Sequence, residues 1–157
     1  LDPAAPRTLP FTADGLRALM TPPATERSAC EICREIPKCS SVTESVYDGR
    51  RDGALPPATE RLVVFLEIPE SNVQRVCRCP LCGHFYLYRY EYEYLATGSE
   101  DTFSYEWTTA DDVLALYAVK KSKRAELRFD GAAWTLVDLD AEARRASWTK
   151  DKPRKTP

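Results

Sequence analysis

Six cysteines and a single histidine hold most of the reactive chemistry in this chain: Cys30, Cys33, Cys39, Cys77, Cys79, Cys82 and His84. Four of the cysteines form two C-x2-C units, CEIC and CPLC. A two-residue spacer lets one tight turn aim two thiolates at one point. Two such turns close a tetrahedral sulfur site, the donor set that suits Zn²⁺. Pro80 fixes φ inside the second unit, and Gly83 permits a positive φ just after it. Disulfide pairing is the competing use of six cysteines. The paired clustering favours metal, and the aliphatic segments can build a core without covalent staples.

The C-P-x-C unit also occurs in thioredoxin-like redox enzymes. There the pair opens a helix, whose dipole lowers a thiol pKa. Here residues 85–95 alternate with period two, which is a strand pattern and offers no such dipole. A thiol redox protein using CPLC therefore stands as an alternative. Cys77 would share a face with Cys79 if 73–79 is one strand, so it is a possible substitute ligand. His84 could ligate, or hydrogen-bond to a ligand. Cys39, Cys77 and His84 have simpler uses as packed thiols and a surface histidine. Four thiolates argue against a catalytic zinc, which keeps an open position.

The two cysteine units resemble the paired knuckles of zinc-ribbon proteins. The resemblance covers CEIC, CPLCG and the strand after each. It implies a structural zinc at Cys30, Cys33, Cys79 and Cys82, and no activity. The 45 residues between Cys33 and Cys79 exceed a minimal ribbon, so the remaining fold must be read from its own patterns.

Those patterns predict an α+β fold, mainly antiparallel sheet, with one principal helix and a short N-terminal helix. Thr12 is an N-cap candidate for FTADGLRALM, with Phe11 and Leu16 at staple spacing. Strands are expected at 41–47, at 61–68 as a central strand, and at 73–79, the last two joined by a turn at PESN. A Gly- and Pro-rich loop fills 48–57. A hairpin is expected from 85–95 and 102–108 around ATGSED. TTADDVLALYAVKKSKR (108–124) is the clearest helix, capped by Thr108 or Thr109, with acidic residues at its start and basic ones at its end. A further hairpin turns at Asp130-Gly131, and AEARRASW can add a helical turn. The organisation expected is one domain over 1–148: an arm and short helix to 29, the knuckle and hairpin region over 30–108, and the helix plus hairpin over 109–148. A flexible basic tail follows over 149–157.

Five tyrosines, Tyr86 to Tyr94, alternate along one predicted strand, and Phe103, Tyr105 and Trp107 alternate along its neighbour. Stacked aromatics on a sheet can hold single-stranded nucleic acid, but only with cations along the phosphates. From His84 to Asp112 there are seven acidic side chains and one basic one, Arg89, a balance of −6. Phosphate chains would be repelled. The stripe is expected to be core packed under the 108–124 helix, with a protein-binding surface at its acidic edge. Glu91, Glu93, Glu100, Asp101, Glu106 and Trp107 are the candidate partner-binding residues, facing a partner with a basic surface.

The bulk numbers fit this picture. The chain has 157 residues, 43% hydrophobic and 29% charged, with a net charge of −2, so no global field draws it to nucleic acid or membrane. The longest aliphatic run, 62–66, cannot span a bilayer. The start at Leu1 reads as a processed end, and no secretory signal is visible. The sequence thus suggests a cytoplasmic bacterial binding protein, non-catalytic and stabilised by Zn²⁺, of inhibitor, immunity or adaptor type. A nucleic-acid-associated zinc-ribbon protein is the other alternative, using the basic C-terminal region, whose residues 119–157 carry eleven basic and six acidic side chains.

Overall fold

A computed structural model of the chain describes residues 5–69, 73–96, 98–118 and 124–150. It is α+β, built on one nine-stranded sheet. In chain order the strands are β1 (Arg7–Pro10), β2 (Cys39–Ser45), β3 (Arg51–Gly53), β4 (Val63–Ile68), β5 (Val73–Arg78), β6 (Phe85–Leu95), β7 (Gly98–Trp107), β8 (Ala125–Phe129) and β9 (Trp134–Asp138). They lie side by side as β1-β8-β9-β4-β5-β6-β7-β2-β3. Every pairing is antiparallel except β4 with β9, where Leu66 meets Trp134 and Glu67 meets Thr135. The apolar run in β4 therefore sits centrally, as its sequence suggests.

Three α-helices accompany the sheet: α1 (Ala13–Leu19), α2 (Ala110–Ala118) and α3 (Leu139–Lys150). The Thr12 hydroxyl accepts the Gly15 N–H at 3.0 Å and caps α1. Thr109 and Asp112 cap α2 reciprocally: Asp112 N–H donates to Thr109 Oγ1 at 3.2 Å, and Asp112 Oδ2 accepts the Thr109 N–H at 2.8 Å. This is a capping box with Asp in the acidic position. α3 is a full helix where the sequence suggested a turn, and it runs to Lys150, into the expected tail. Asp138 caps it through the Ala141 N–H at 2.9 Å. Its surface is polar nearly throughout, so the apolar periodicity that announces a helix is missing.

Both faces of the sheet are covered in part. On one, α1 and α2 bury Leu16, Met20, Ala110 and Val113 against Leu66, Ile68, Val76, Phe85, Leu87, Leu127, Trp134 and Leu136. On the other, α3 lies over β8, where Arg128 forms a two-pronged ion pair with Glu142 at 2.9 Å. The segment 27–36 covers that other face where β5 runs into β6.

This arrangement corrects the expected place of the tyrosine stripe. α2 packs over Phe85 and Leu87, not over the tyrosines. The Phe85/Leu87 face continues into the aliphatic side chains of β4, β5, β8 and β9, which fit an apolar helix better than a row of hydroxyl-bearing rings. Along the stripe burial falls steadily. Tyr86 is completely buried, Tyr88 and Tyr90 are half-buried, and Tyr92 and Tyr94 are exposed. Tyr88 meets Tyr105, and Tyr90 meets Phe103, each with ring centroids 5.1 Å apart.

The β6–β7 turn is also tighter than the expected loop ATGSED. β7 begins at Gly98, directly opposite Leu95. Gly98 has φ of 138°, and a side chain there would come within 2.7 Å of Tyr47 Cβ, so glycine lets the 46–47 segment close over the hairpin end. β3 lies inside the expected 48–57 loop, and β1 was not expected either. β1 is a short, exposed edge strand ending in proline, recruited by backbone pairing with β8. Part of the PESN turn, residues 119–123 with Lys120, Lys121 and Lys123, and the tail from 151 onward lie outside the described residues. Among the described residues no helix is long and apolar enough to cross a membrane.

Candidate metal centre

The first cysteine pair lies in a compact segment. A 3-10 turn at Arg27–Ala29 precedes Cys30, and a second at Cys33–Glu35 follows. Ile32 and Ile36 are fully buried and anchor the segment to the sheet. The Arg34 N–H donates to the Cys30 carbonyl at 3.0 Å. The backbone N–H groups of Ile32 and Cys33 reach the Cys30 sulfur, so the main chain itself solvates one ligand atom.

The second pair is the β5–β6 turn itself. Arg78 and Phe85 are the last opposed residues of the two strands. Beyond them Cys79 N–H donates to the His84 carbonyl and Gly83 N–H to the Cys79 carbonyl, each at 2.9 Å. Gly83 has φ of 83°, and a Cβ there would stand 3.1 Å from the Arg78 guanidinium. The positive φ favours glycine, whereas the arginine tip would need to give by only a few tenths of an ångström. The turn leads into a strand, so no helix dipole acts on CPLC, as a redox pair at a helix start would require.

Cys30, Cys33, Cys79 and Cys82 come together, with all four sulfurs within 4.8 Å of one another. The Cys30–Cys79 separation is 3.7 Å and the Cys33–Cys82 separation 3.3 Å. Sulfurs bound at about 2.3 Å around a tetrahedral ion lie about 3.8 Å apart, so the cluster has the dimensions of a metal site. These distances also exceed a disulfide bond of about 2.05 Å, and all four thiols are free. Three of the four residues are buried, and Cys82 is partly exposed.

The electrostatics favour a cation at this cluster. Burial pushes the Cys33 thiol far up, opposed by the Tyr86 hydroxyl and raised further by the Cys82 and Cys79 sulfurs. Burial raises Cys82 as well, against the His84 backbone N–H, which lowers it. At Cys30 burial also acts upward and is the largest single effect, but the N–H groups of Cys33 and Ile32 together with the Cys82 and Cys79 side chains bring the thiol down to about 7. Four thiolates this close repel one another, and a bound divalent ion removes that repulsion.

His84 stands beside the cluster, its Nδ1 3.2 Å from Cys82 Sγ. Burial and the nearby Arg27 hold its pKa below the usual histidine value. Its ring is placed to hydrogen-bond the Cys82 sulfur, with the donor set by the imidazole tautomer. Cys39 and Cys77 are not brought in. Cys39 is exposed at the start of β2, opposite Glu106. Cys77 is buried within β5 opposite Tyr86, and burial raises its thiol to about 11. β5 stops at Arg78, and Cys79 already belongs to the turn, so strand alternation does not carry Cys77 toward the cluster.

Two residues beside the site were not singled out from sequence. Tyr86 is the first of the stripe, and its buried hydroxyl lacks a hydrogen-bond partner of good geometry. It nonetheless interacts with the Cys33 thiol, which helps drive the tyrosine pKa up after burial. Arg27 lies over the rings of Tyr86 and Trp107, at 5.1 and 4.5 Å from their centroids, and donates to the Phe85 carbonyl at 3.0 Å. No local pattern marks an arginine in PPATERSAC for that place.

The six candidate partner-binding residues divide between the faces of the β6–β7 hairpin. By register, Glu91, Glu93, Glu100 and Glu106 share the face of Leu87 and Arg89, while Asp101 and Trp107 lie on the tyrosine face. Asp101 accepts a hydrogen bond from the Tyr90 hydroxyl at 2.8 Å, and Glu100 lies 3.7 Å from Arg50. The Trp107 indole N–H donates to the Ile36 carbonyl at 3.4 Å, tying the hairpin base to the cysteine segment. Glu91, Glu93 and Glu106 are exposed. No protein-family model, curated protein or solved structure matches this chain.

Proposed function

We propose that the four cysteines bind one Zn²⁺ as a structural clamp, and that the protein acts by binding a protein partner with a basic surface. The closed four-sulfur cluster carries the first part. All four coordination positions are supplied by the chain, which leaves none for a substrate or an activated water. Zinc is the fitting ion for a tetrahedral thiolate set of this size. Its task is to hold segment 27–36 against the β5–β6 turn, as the paired knuckles of zinc ribbons do.

The partner surface rests on the outer half of the β6–β7 hairpin. Exposed Glu91 and Glu93 alternate there with exposed Tyr92 and Tyr94. Glu93 and Glu100 are directly opposed across the strands, an arrangement that costs stability. Acidic groups held against their own repulsion, beside rigid aromatic rings, suit a basic protein surface. Glu91 and Glu93 steer the encounter, and the tyrosines anchor it.

Two measurements test the two parts. Elemental analysis of protein purified under reducing conditions should give one zinc per chain; metal-free folded protein overturns the clamp. Capture of partners from lysate should fall as salt rises and fall again with Glu91→Lys/Glu93→Lys. Unchanged capture by the folded variant moves the binding surface elsewhere.

A further inference from the structure

Two adjoining cavities flank the start of α2. The larger, of about 590 Å³, is bordered by Arg27, Lys38, Arg89, Trp107 and Thr108. Three arginines of the sheet face an acidic neighbour: Arg51 faces Glu44, Arg75 faces Glu67 and Arg128 faces Glu142. Among the described residues no carboxylate lies within ion-pair distance of Arg27, Lys38 or Arg89. The Nε atoms of Arg27 and Arg89 are both buried without a hydrogen-bond partner. The hydroxyl of Thr108, a residue only 5% exposed, is likewise unpartnered. Three unpartnered donor groups close together leave this region short of acceptors.

Three cations and two carboxylates border the cavity, so a positive excess remains. Asp112 borders it, but its Oδ2 is committed to the backbone N–H and hydroxyl of Thr109. Glu106 is the other carboxylate, and it is exposed. Arg27 is also positioned in advance. Its Nη2 is held by the Phe85 carbonyl and its plane by Tyr86 and Trp107, so little conformational freedom remains to be lost on binding. The adjoining cavity, of about 500 Å³, shares Arg27, Thr108 and Thr109 and is bordered by Met20, Pro22 and Phe85. It is mainly apolar, with Arg17, His84 and Asp111 at its border.

We propose that the paired cavities bind a small phosphate monoester. The phosphate would pair with the Arg27 and Arg89 guanidinium groups and with Lys38, and the organic group would enter the mainly apolar cavity beside Met20 and Phe85. Guanidinium and ammonium donors match a phosphate's several acceptor oxygens. Glu91 and Glu93 follow Arg89 on the same face toward the hairpin tip, so a polyanionic chain is disfavoured where a single phosphate group is not. The site adjoins the cysteine cluster through His84 and borders Glu106 and Trp107 of the hairpin base, but it lies apart from the exposed hairpin tip at Glu91 and Glu93.

The test follows the arginine Nε–H resonances of ¹⁵N-labelled, metal-loaded protein during titration with phenyl phosphate or inorganic phosphate at constant ionic strength. The Arg27 and Arg89 signals should shift saturably, and at lower concentration with phenyl phosphate. Lys38→Gln and Arg89→Gln should each weaken phenyl phosphate binding by about tenfold or more, the loss expected for one charge-assisted hydrogen bond. Lys38 is exposed, so its variant serves even if Arg89→Gln does not fold. Equal affinity for the two probes overturns the ester and leaves free phosphate as the ligand. Shifts that do not saturate, or that survive both substitutions, overturn the site.

Discussion

The two sides of the sheet hold themselves together by different physics. Under α1 and α2, aliphatic and aromatic side chains from two helices and five strands form one continuous core. On the cysteine side the buried cluster is Ile32, Ile36 and Tyr86 with three cysteines. Burying three large apolar side chains contributes about 1.5–3 kcal/mol each. Ordering the backbone of segment 27–36 costs about 1–2 kcal/mol per residue. Apolar burial alone falls short, and the proposed structural zinc, at about 10 kcal/mol or more, would make up the difference. One side of the molecule is thus a hydrophobic core in the ordinary sense, and the other depends on what its sulfurs bind.

Metal removal is the strongest way to break that asymmetry. Cys82→Ser, or chelation of the loaded protein, should abolish stoichiometric zinc and release 27–36 and 79–84 from hydrogen-exchange protection. The strands under the helices, β4 and β8 above all, should stay protected longer. Uniform loss of protection across the sheet would mean that the two sides form one cooperative unit. Leu66→Ala is the complementary perturbation. Leu66 is fully buried in the helix-side core, and its truncation should cost about 2–5 kcal/mol in denaturant unfolding. Zinc content per folded molecule should not change. A lower zinc content in folded Leu66→Ala protein would show that β4 strain reaches the cysteines.

How much of this was legible beforehand follows the same divide. The cysteine cluster could be read because C-x2-C spacing is a local constraint, and the turn chemistry of Pro80 and Gly83 agrees with it. The strands and helix caps were legible for the same local reason: alternation, Thr12, Thr109. The face chosen by α2 was not. Near Phe85, both sides of β6 are apolar, and the decision lies with residues far away in sequence, Leu66, Leu127 and Leu136. The parallel β4–β9 pairing has no local signature at all, since each strand alone reads the same in either direction. β1 was invisible because an exposed edge strand needs only backbone donors and acceptors. α3 was underestimated because a surface helix lacks the apolar stripe.

Tyr86 sharpens the comparison at a single atom. It is the one large aromatic residue fully buried on the cysteine side. With zinc bound, Cys33 is a thiolate, and a thiolate is a better acceptor for the buried hydroxyl than a thiol is. Removing that hydroxyl should therefore matter only when metal is present. Tyr86→Phe should weaken zinc by about tenfold, the lower end for a group hydrogen-bonded to a ligand. The metal-free protein should lose nothing and can gain slightly, since an unsatisfied buried hydroxyl disappears. Competition with a chromogenic chelator measures the first effect and denaturant unfolding of the metal-free protein the second. Equal destabilisation of both forms would assign Tyr86 a packing role alone.

The smallest expected effect lies farthest from either core, at the hairpin tip. Glu93 and Glu100 face each other directly, and Arg50 lies 3.7 Å from Glu100 alone. Glu93→Lys replaces a like-charge pair by an opposite-charge pair, which should stabilise the fold by about 0.2–1 kcal/mol. Added salt should shrink the gain, because the pair is partly exposed. Burial explains why the effect is local: nothing in either core touches the Glu93 side. If the acidic tip is a partner surface, the same substitution should weaken capture of the basic partner while raising the unfolding midpoint. Stability and binding would then move in opposite directions, as expected where charge is kept for recognition and not for folding. A Glu93→Lys protein that is less stable than the parent would show that the cross-strand repulsion is already relieved, and the tip would lose its claim to be strained for a partner.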